Sequence, residues 1–120
     1  MKSVILGPAK SDLQDLRRYI INKFGNRTWL ETRTRIQQSI KQVEEFPLKG
    51  SNPPELVDFQ LTGYYQVISG MNRIIYQIAN DTIYIHIISD TRRDLKAILA
   101  KRLIRMKRQT RASIFGLRLF

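Results

Sequence analysis

ISGMNRIIYQIANDTIYIHIISDTRRD, residues 68–94, is the stretch that decides the fold. Asn72–Ile78 and Thr82–Ile88 are rich in β-branched and aromatic residues and are separated by Asn80–Asp81, a turn pair that suits a tight hairpin. Ser69–Gly70 supplies a second turn in front of them. Strict alternation places Ile83, Ile85 and Ile87 on one face, and Tyr84, His86 and Ile88 on the other. Both faces are therefore expected to be covered or used. Arg92 and Arg93 follow the last strand directly. A small basic sheet that ends in arginines suits an acidic counterpart: RNA, DNA, a nucleic-acid enzyme or an acidic peptide.

Working outward toward the N-terminus, Tyr64–Ile68 and Leu56–Leu61 read as strand segments broken near Thr62–Gly63. PLKGSNPP, residues 47–54, is turn-forming throughout and is the main loop. Before it the period changes to that of a helix. Trp29, Ile36, Ile40, Val43 and Pro47 share a stripe, with Thr28 and Glu31 as a possible capping box. Arg33, Arg35, Gln37, Gln38, Lys41 and Gln42 form the opposite face. From Ala9, Leu13, Leu16, Ile20 and Phe24 fall on one face of an earlier helix, which Gly25–Asn26 ends. These two helices are expected to form an antiparallel hairpin. Ser3–Leu6 reads as an edge strand.

Toward the C-terminus, Asp94 opens a last helix with Leu95, Ile98, Leu99, Leu103 and Met106 on one side and basic residues on the other. Residues 109–120 show no clear period. The expected organisation is one domain over residues 1–108 and a tail of unknown role over 109–120. The order β-α-α-β-β-β-α predicts an α+β fold, a helical hairpin on one face of a small antiparallel sheet with a basic C-terminal helix.

Composition limits the chemistry. The chain has 120 residues and a net charge of +11, enough length for one modest core. It has no cysteine and one histidine, so disulfides and cysteine-based zinc sites are excluded, and neither a metal nor a cofactor is expected. No apolar run reaches a membrane span, and Val4–Leu6 is too short for a signal peptide core, so a cytoplasmic chain without membrane contact is expected. The charge is uneven. Residues 1–91 hold 11 Lys/Arg and 9 Asp/Glu, a balance of +2, whereas residues 92–120 hold 10 Lys/Arg and one acid, a balance of +9. Such a block steers toward polyanions, or it is a solvated basic helix that keeps the protein in solution.

Four pieces of this chain, in this order, resemble the RelE/ParE superfamily of bacterial toxin–antitoxin modules. AKSDLQDL (residues 9–16) is similar to the opening helix of that family, and FPLKG (46–50) to its P-x-x-G loop. MNRIIYQI (71–78) is similar to its "yRiiY.i" strand, and IYIHIISDTRRD (83–94) to its last strand and terminal arginines. The resemblance covers about residues 3–105. It implies either of two activities on one scaffold: ribosome-dependent cleavage of messenger RNA (RelE-like) or inhibition of DNA gyrase (ParE-like).

Metal-free RNA cleavage needs a group that activates the 2′-hydroxyl, a charge that stabilises the phosphorane, and an acid for the leaving oxygen. By resemblance, Arg73 matches the strand arginine of RelE-like members, and Arg92 or Arg93 the one after the last strand. Their lysines fall near Tyr64 and Gln66, and their C-terminal tyrosine near Ile98–Ala100, where this chain has neither Lys nor Tyr. A ribonuclease would therefore rest on Arg73, His86 and Arg92. His86 also reads as a packed structural histidine, Arg73 as a structural arginine paired with Asp81 or Asp90, and Trp29 as core.

The resemblance thus favours the ParE-like branch: a growth-inhibiting toxin that acts on gyrase, with indirect DNA contact, stabilises a plasmid or genome, and is neutralised by a cognate antitoxin. Arg92, Arg93, Lys96, Lys101, Arg102 and Arg105 are the expected target-binding residues. Arg73, Tyr76 and Tyr64 are the expected antitoxin-binding residues, and no residue is then catalytic. A plain basic nucleic-acid-binding module is the alternative from another class.

Overall fold

The computed structural model describes residues 1–58 and 63–102. A four-stranded sheet runs in the order β1 (Lys2–Ile5), β4 (Thr82–Asp90), β3 (Asn72–Ala79), β2 (Tyr64–Ser69). The meander β2–β3–β4 is antiparallel, as the sequence predicts. β1 joins it in parallel with β4, so the sheet is mixed. The two strands are far apart in the chain: α1 (Gly7–Phe24), α2 (Asn26–Glu45) and the first two strands of the meander lie between them.

Gly25 alone separates the two helices. Its φ of 93° is open to glycine, and its N–H caps α1 on the Ile20 and Ile21 carbonyls. Thr28 lies inside the first turn of α2 and bonds back to the Phe24 carbonyl, so the predicted capping box is not formed. Pro8 stands in the first turn of α1, where its missing N–H costs nothing.

Both hairpin turns show their backbone chemistry. Asn80 and Asp81 carry φ of 52° and 59°, the pattern of a I′ turn. The other loop is Gly70–Met71, with positive φ at Gly70 only.

The register of β3 on β4 slips between Ile75 and Tyr76: Ile75 faces Ile87, but Tyr76 faces Ile85. His86 is therefore an extra residue, and the bulge changes which side chains face which way. Ile83, Ile85 and Ile88 enter the core beneath α1 and α2, with Ile74 and Tyr76. Ile87 enters a second core on the opposite face, with Ile75, Leu56, Tyr64, Leu95 and Leu99. This corrects the simple alternation read from the sequence, which put Ile87 with Ile83 and Ile85.

The second core also corrects the expected layering. Helices cover both faces. α3 (Pro54–Asp58) and the helix over residues 95–102, here α4, pack on the face away from the hairpin. The segment predicted as strand Leu56–Leu61 begins as α3. Pro54 starts the turn, and the Pro53 carbonyl accepts from the Leu56 and Val57 N–H groups. Residues 59–61 lie outside the described residues, as do Leu103, Arg105, Met106 and the tail.

Burial on both faces explains why β3 and β4 read as almost continuous apolar runs. Each fully buried Ile or Leu stabilises the fold by roughly 1.5–3 kcal/mol. A tie joins the core beneath the hairpin to the loop that follows α2. The Tyr76 hydroxyl donates to the Pro47 carbonyl at 2.7 Å and accepts from the Gly50 N–H at 3.1 Å. The tyrosine of MNRIIYQI thereby holds the loop of FPLKG.

Candidate functional site

α1 sends Asp12, Asp15, Leu16 and Tyr19, at i, i+3, i+4 and i+7, toward the C-terminal end of β4. Between that stripe and Ile88–Arg93 lies a cavity of about 420 Å³. A second, of about 310 Å³, runs on toward the Gly70–Met71 turn and α2. They share Leu16, Tyr19, Asp90 and Arg92 and so form one groove. Its walls include large apolar side chains left open to solvent: Tyr19 at 41%, Met71 at 56% and Phe24 at 62% exposure. An exposed apolar patch with a polar rim is the surface signature of a binding site.

The floor of the groove at its far end is polar. Ser69, Asn72 and Asp90 are neighbours in register across β2, β3 and β4. They alternate with core residues so as to face the hairpin. Asp90 is held by Arg92, whose Nε and Nη2 donate to its two oxygens at 3.0 and 2.8 Å; the Arg92 N–H also donates to it. These bonds to Arg92 hold the Asp90 carboxyl below its ordinary value, and Asp90 in turn keeps Arg92 charged. Ser69 and Asn72 are buried, and the Ser69 Oγ and Asn72 Oδ1 have no partner among the described residues.

The residues singled out in the sequence scatter across the molecule. Arg92 lines the groove. Arg93 lines its mouth and is exposed, as are Lys96 and Lys101 on α4. Arg102 is not turned outward. Its guanidinium bonds both oxygens of Asp12 and the His86 carbonyl, the latter at 2.9 Å. Arg105 lies outside the described residues.

Arg73 pairs with Glu55 of α3 at 2.8 Å, not with Asp81 or Asp90. Tyr64 and Tyr76 are buried in the two opposite cores, and burial pushes both phenols up. Of the expected antitoxin-binding residues, Tyr64 and Tyr76 therefore lie on opposite faces of the sheet with buried rings, and Arg73 is held by Glu55.

His86 packs its ring 5.3 Å from that of Tyr64, and its Nε2 lies 3.0 Å from Gln77 Oε1. Burial, reinforced by the Arg102 charge, lowers its pKa to about 4. An imidazole so placed is neutral at physiological pH. Arg73, His86 and Arg92 each have a different partner, and the groove contains only the last. The structure does not bring the ribonuclease set together.

Sequence reading missed three residues that organise this region. Asp12 accepts from the Ile88 N–H at 2.9 Å as well as from Arg102. β1 pairs only with Thr82–Ile85, so the rest of that edge of β4 is open, and these two side chains cap it. Glu55 is the partner of Arg73. Arg35, on the outer face of α2, reaches over the Gly70 turn to within 3.7 Å of where a Cβ on Gly70 would stand. The i, i+4, i+7 spacing of Asp12, Leu16 and Tyr19 was the one available signal, and it is indistinguishable in sequence from an ordinary helix face. Among the described residues, no His, Asp and Glu cluster is arranged to hold a metal ion, and no helix is long and apolar enough to cross a membrane.

Comparison with known proteins bears on this arrangement. No curated protein matches the chain. The fold is similar to a solved structure described as "Chromosomal ParDE TA system from P. aeruginosa", with a TM-score of 0.62 at 15% identity; the match covers 75% of this chain and 95% of that one. A model of the family described as "ParE toxin of type II toxin-antitoxin system, parDE" matches residues 4–95. That span takes in both helices of the hairpin, strands β2 to β4 with the second half of β1, and the groove between them, and the chain belongs to the ParE toxin family of type II toxin–antitoxin systems.

Proposed function

We propose that this protein is a toxin that inhibits DNA gyrase without hydrolysing a substrate itself, and that a cognate antitoxin neutralises it. The observation that carries the reading is the separation of Arg73, His86 and Arg92. Each is held by a different partner, and His86 is kept neutral against Tyr64 of the second core. RNA cleavage needs a proton-transfer pair around one phosphate, and His86, the proton-transfer candidate of that set, does not line the groove. Family membership supports the toxin role. Arg93, Lys96 and Lys101 give the target-facing surface on and before α4, exposed and basic.

The groove is the antitoxin site in this reading. An amphipathic acidic segment that folds on binding lays its apolar side on Leu16, Tyr19 and Phe24, while its acids meet the arginines of the rim. The experiment is controlled expression in growing cells, with the topology of a reporter plasmid as readout. Wild type is expected to stop growth and relax the plasmid. The double variant Arg93→Glu/Lys101→Glu is expected to do neither while staying folded. Growth arrest with a fully supercoiled plasmid would contradict gyrase as the target.

A further inference from the structure

The polar end of the groove contains an incomplete site. Ser69 is 5% and Asn72 is 6% exposed, and each carries a polar atom with no partner among the described residues. A buried polar atom left unpaired carries a desolvation cost that native structures rarely tolerate. The third member of the row, Asp90, is satisfied by Arg92. Above the row, across the Gly70 turn, stands Arg35, exposed and with no ion pair among the described residues. Its neighbour Glu31 is engaged with Arg27 at 3.8 Å. The Thr28 and Thr32 hydroxyls, which also line this end, already donate to the Phe24 carbonyl at the end of α1 and to the Thr28 carbonyl.

Arg35, the Ser69 hydroxyl and the Asn72 amide are the kinds of group that hold a carboxylate. A guanidinium supplies charge and paired donors, a hydroxyl supplies one donor, and an amide turned over offers its NH₂. The surrounding wall, Ile20, Phe24 and Met71, is apolar and would exclude water from such a contact. Arg92 does not compete for the ligand, because Asp90 already occupies it.

We propose that Arg35, Ser69 and Asn72 form a carboxylate-reading subsite at this end of the groove, filled by an Asp or Glu side chain on a partner helix whose apolar stripe lies on Tyr19 and Phe24. Arg35 is then the residue that sets partner choice. This rests on the groove being the partner site. Gly70 is part of the device: its side has room for Arg35 to lie over the turn, and its φ of 60° is one that a side chain would strain.

The test uses the full chain and a displayed library of helical peptides with a fixed apolar stripe and randomised flanking positions. Three proteins are compared with wild type: Arg35→Gln, Arg35→Glu and Phe24→Asp. All three changes are on exposed side chains, and each variant's thermal midpoint is checked first. Wild type is expected to select binders with Asp or Glu at one flanking position. Arg35→Gln is expected to bind them about tenfold or more weakly. Arg35→Glu is expected to select Lys or Arg at that same position. Binders that are lost on Phe24→Asp but show no acidic preference, or keep it on Arg35→Glu, would overturn the subsite and leave the groove reading standing. Binders indifferent to Phe24→Asp, or no binders, would overturn the groove reading and the subsite with it.

Discussion

Three residues, Gly50, Tyr76 and His86, show how single positions of the recognisable motifs act. A Cβ on Gly50 would stand 2.5 Å from the Tyr76 hydroxyl and 2.8 Å from the Gln66 carbonyl. Backbone cannot move aside cheaply, so Gly50→Ala is expected to destabilise the protein by about 1–3 kcal/mol, measured by urea denaturation. Tyr76→Phe removes one donor and one acceptor from the same loop and is expected to cost about 1–2 kcal/mol. His86 makes a pH prediction. Its pKa is about 4 when folded against 6.5 unfolded. Between those values the unfolded chain binds the proton and the folded chain does not, so stability falls as pH falls from 6.5 toward 4. The full loss is on the order of 3 kcal/mol. A variant His86→Gln is expected to flatten that window in denaturation midpoints measured across it. An unchanged slope would mean that the imidazole is not the group responsible.

Elements are held to one another by ties that sequence distance conceals. Asp12 on α1 joins the edge of β4 and Arg102 on α4, and the side chains of both are mostly buried. Asp12→Ala would strand a buried guanidinium and uncap Ile88, at an expected cost of about 3 kcal/mol or more. Hydrogen exchange should then speed up at the Ile88 amide and through residues 95–102, not in α2. Arg92→Ala breaks a pair whose arginine side chain is 65% exposed, and is expected to leave the denaturation midpoint nearly unchanged. The contrast between the two variants tests whether burial, not pairing as such, sets the energy. The same ties mark how far the sequence could be read. The meander, its two turns and the helical hairpin were legible because period and turn chemistry are local. The bulge at His86 was not, because it breaks the period that the reading relies on. α3 was not, because Pro54 can open a helix or precede a strand. The placing of α4 on the face away from the hairpin was not, because an apolar stripe says that a helix is covered, but not by which face.

At the scale of the whole molecule, charge and shape divide the labour. The groove lies on the hairpin side of the sheet, while α4, with Lys96 and Lys101 exposed, packs on the other side. A partner in the groove and a target on α4 would therefore meet different layers, joined by Asp12 and Arg102. The terminal arginines announced part of this site in the sequence. Arg35 and the Ser69–Asn72 row did not, because a basic residue on an outer helix face and polar residues beside a turn are ordinary features until the fold brings them together. The claim that ties these scales is that the protein acts on gyrase and cuts nothing itself. The measurement is supercoiling and DNA cleavage by purified gyrase at fixed salt, with and without the protein, beside the Arg93→Glu/Lys101→Glu variant. Loss of supercoiling with accumulation of linear DNA, abolished in the variant, is the expected result. Unimpaired gyrase, together with messenger RNA cut on programmed ribosomes, would contradict it.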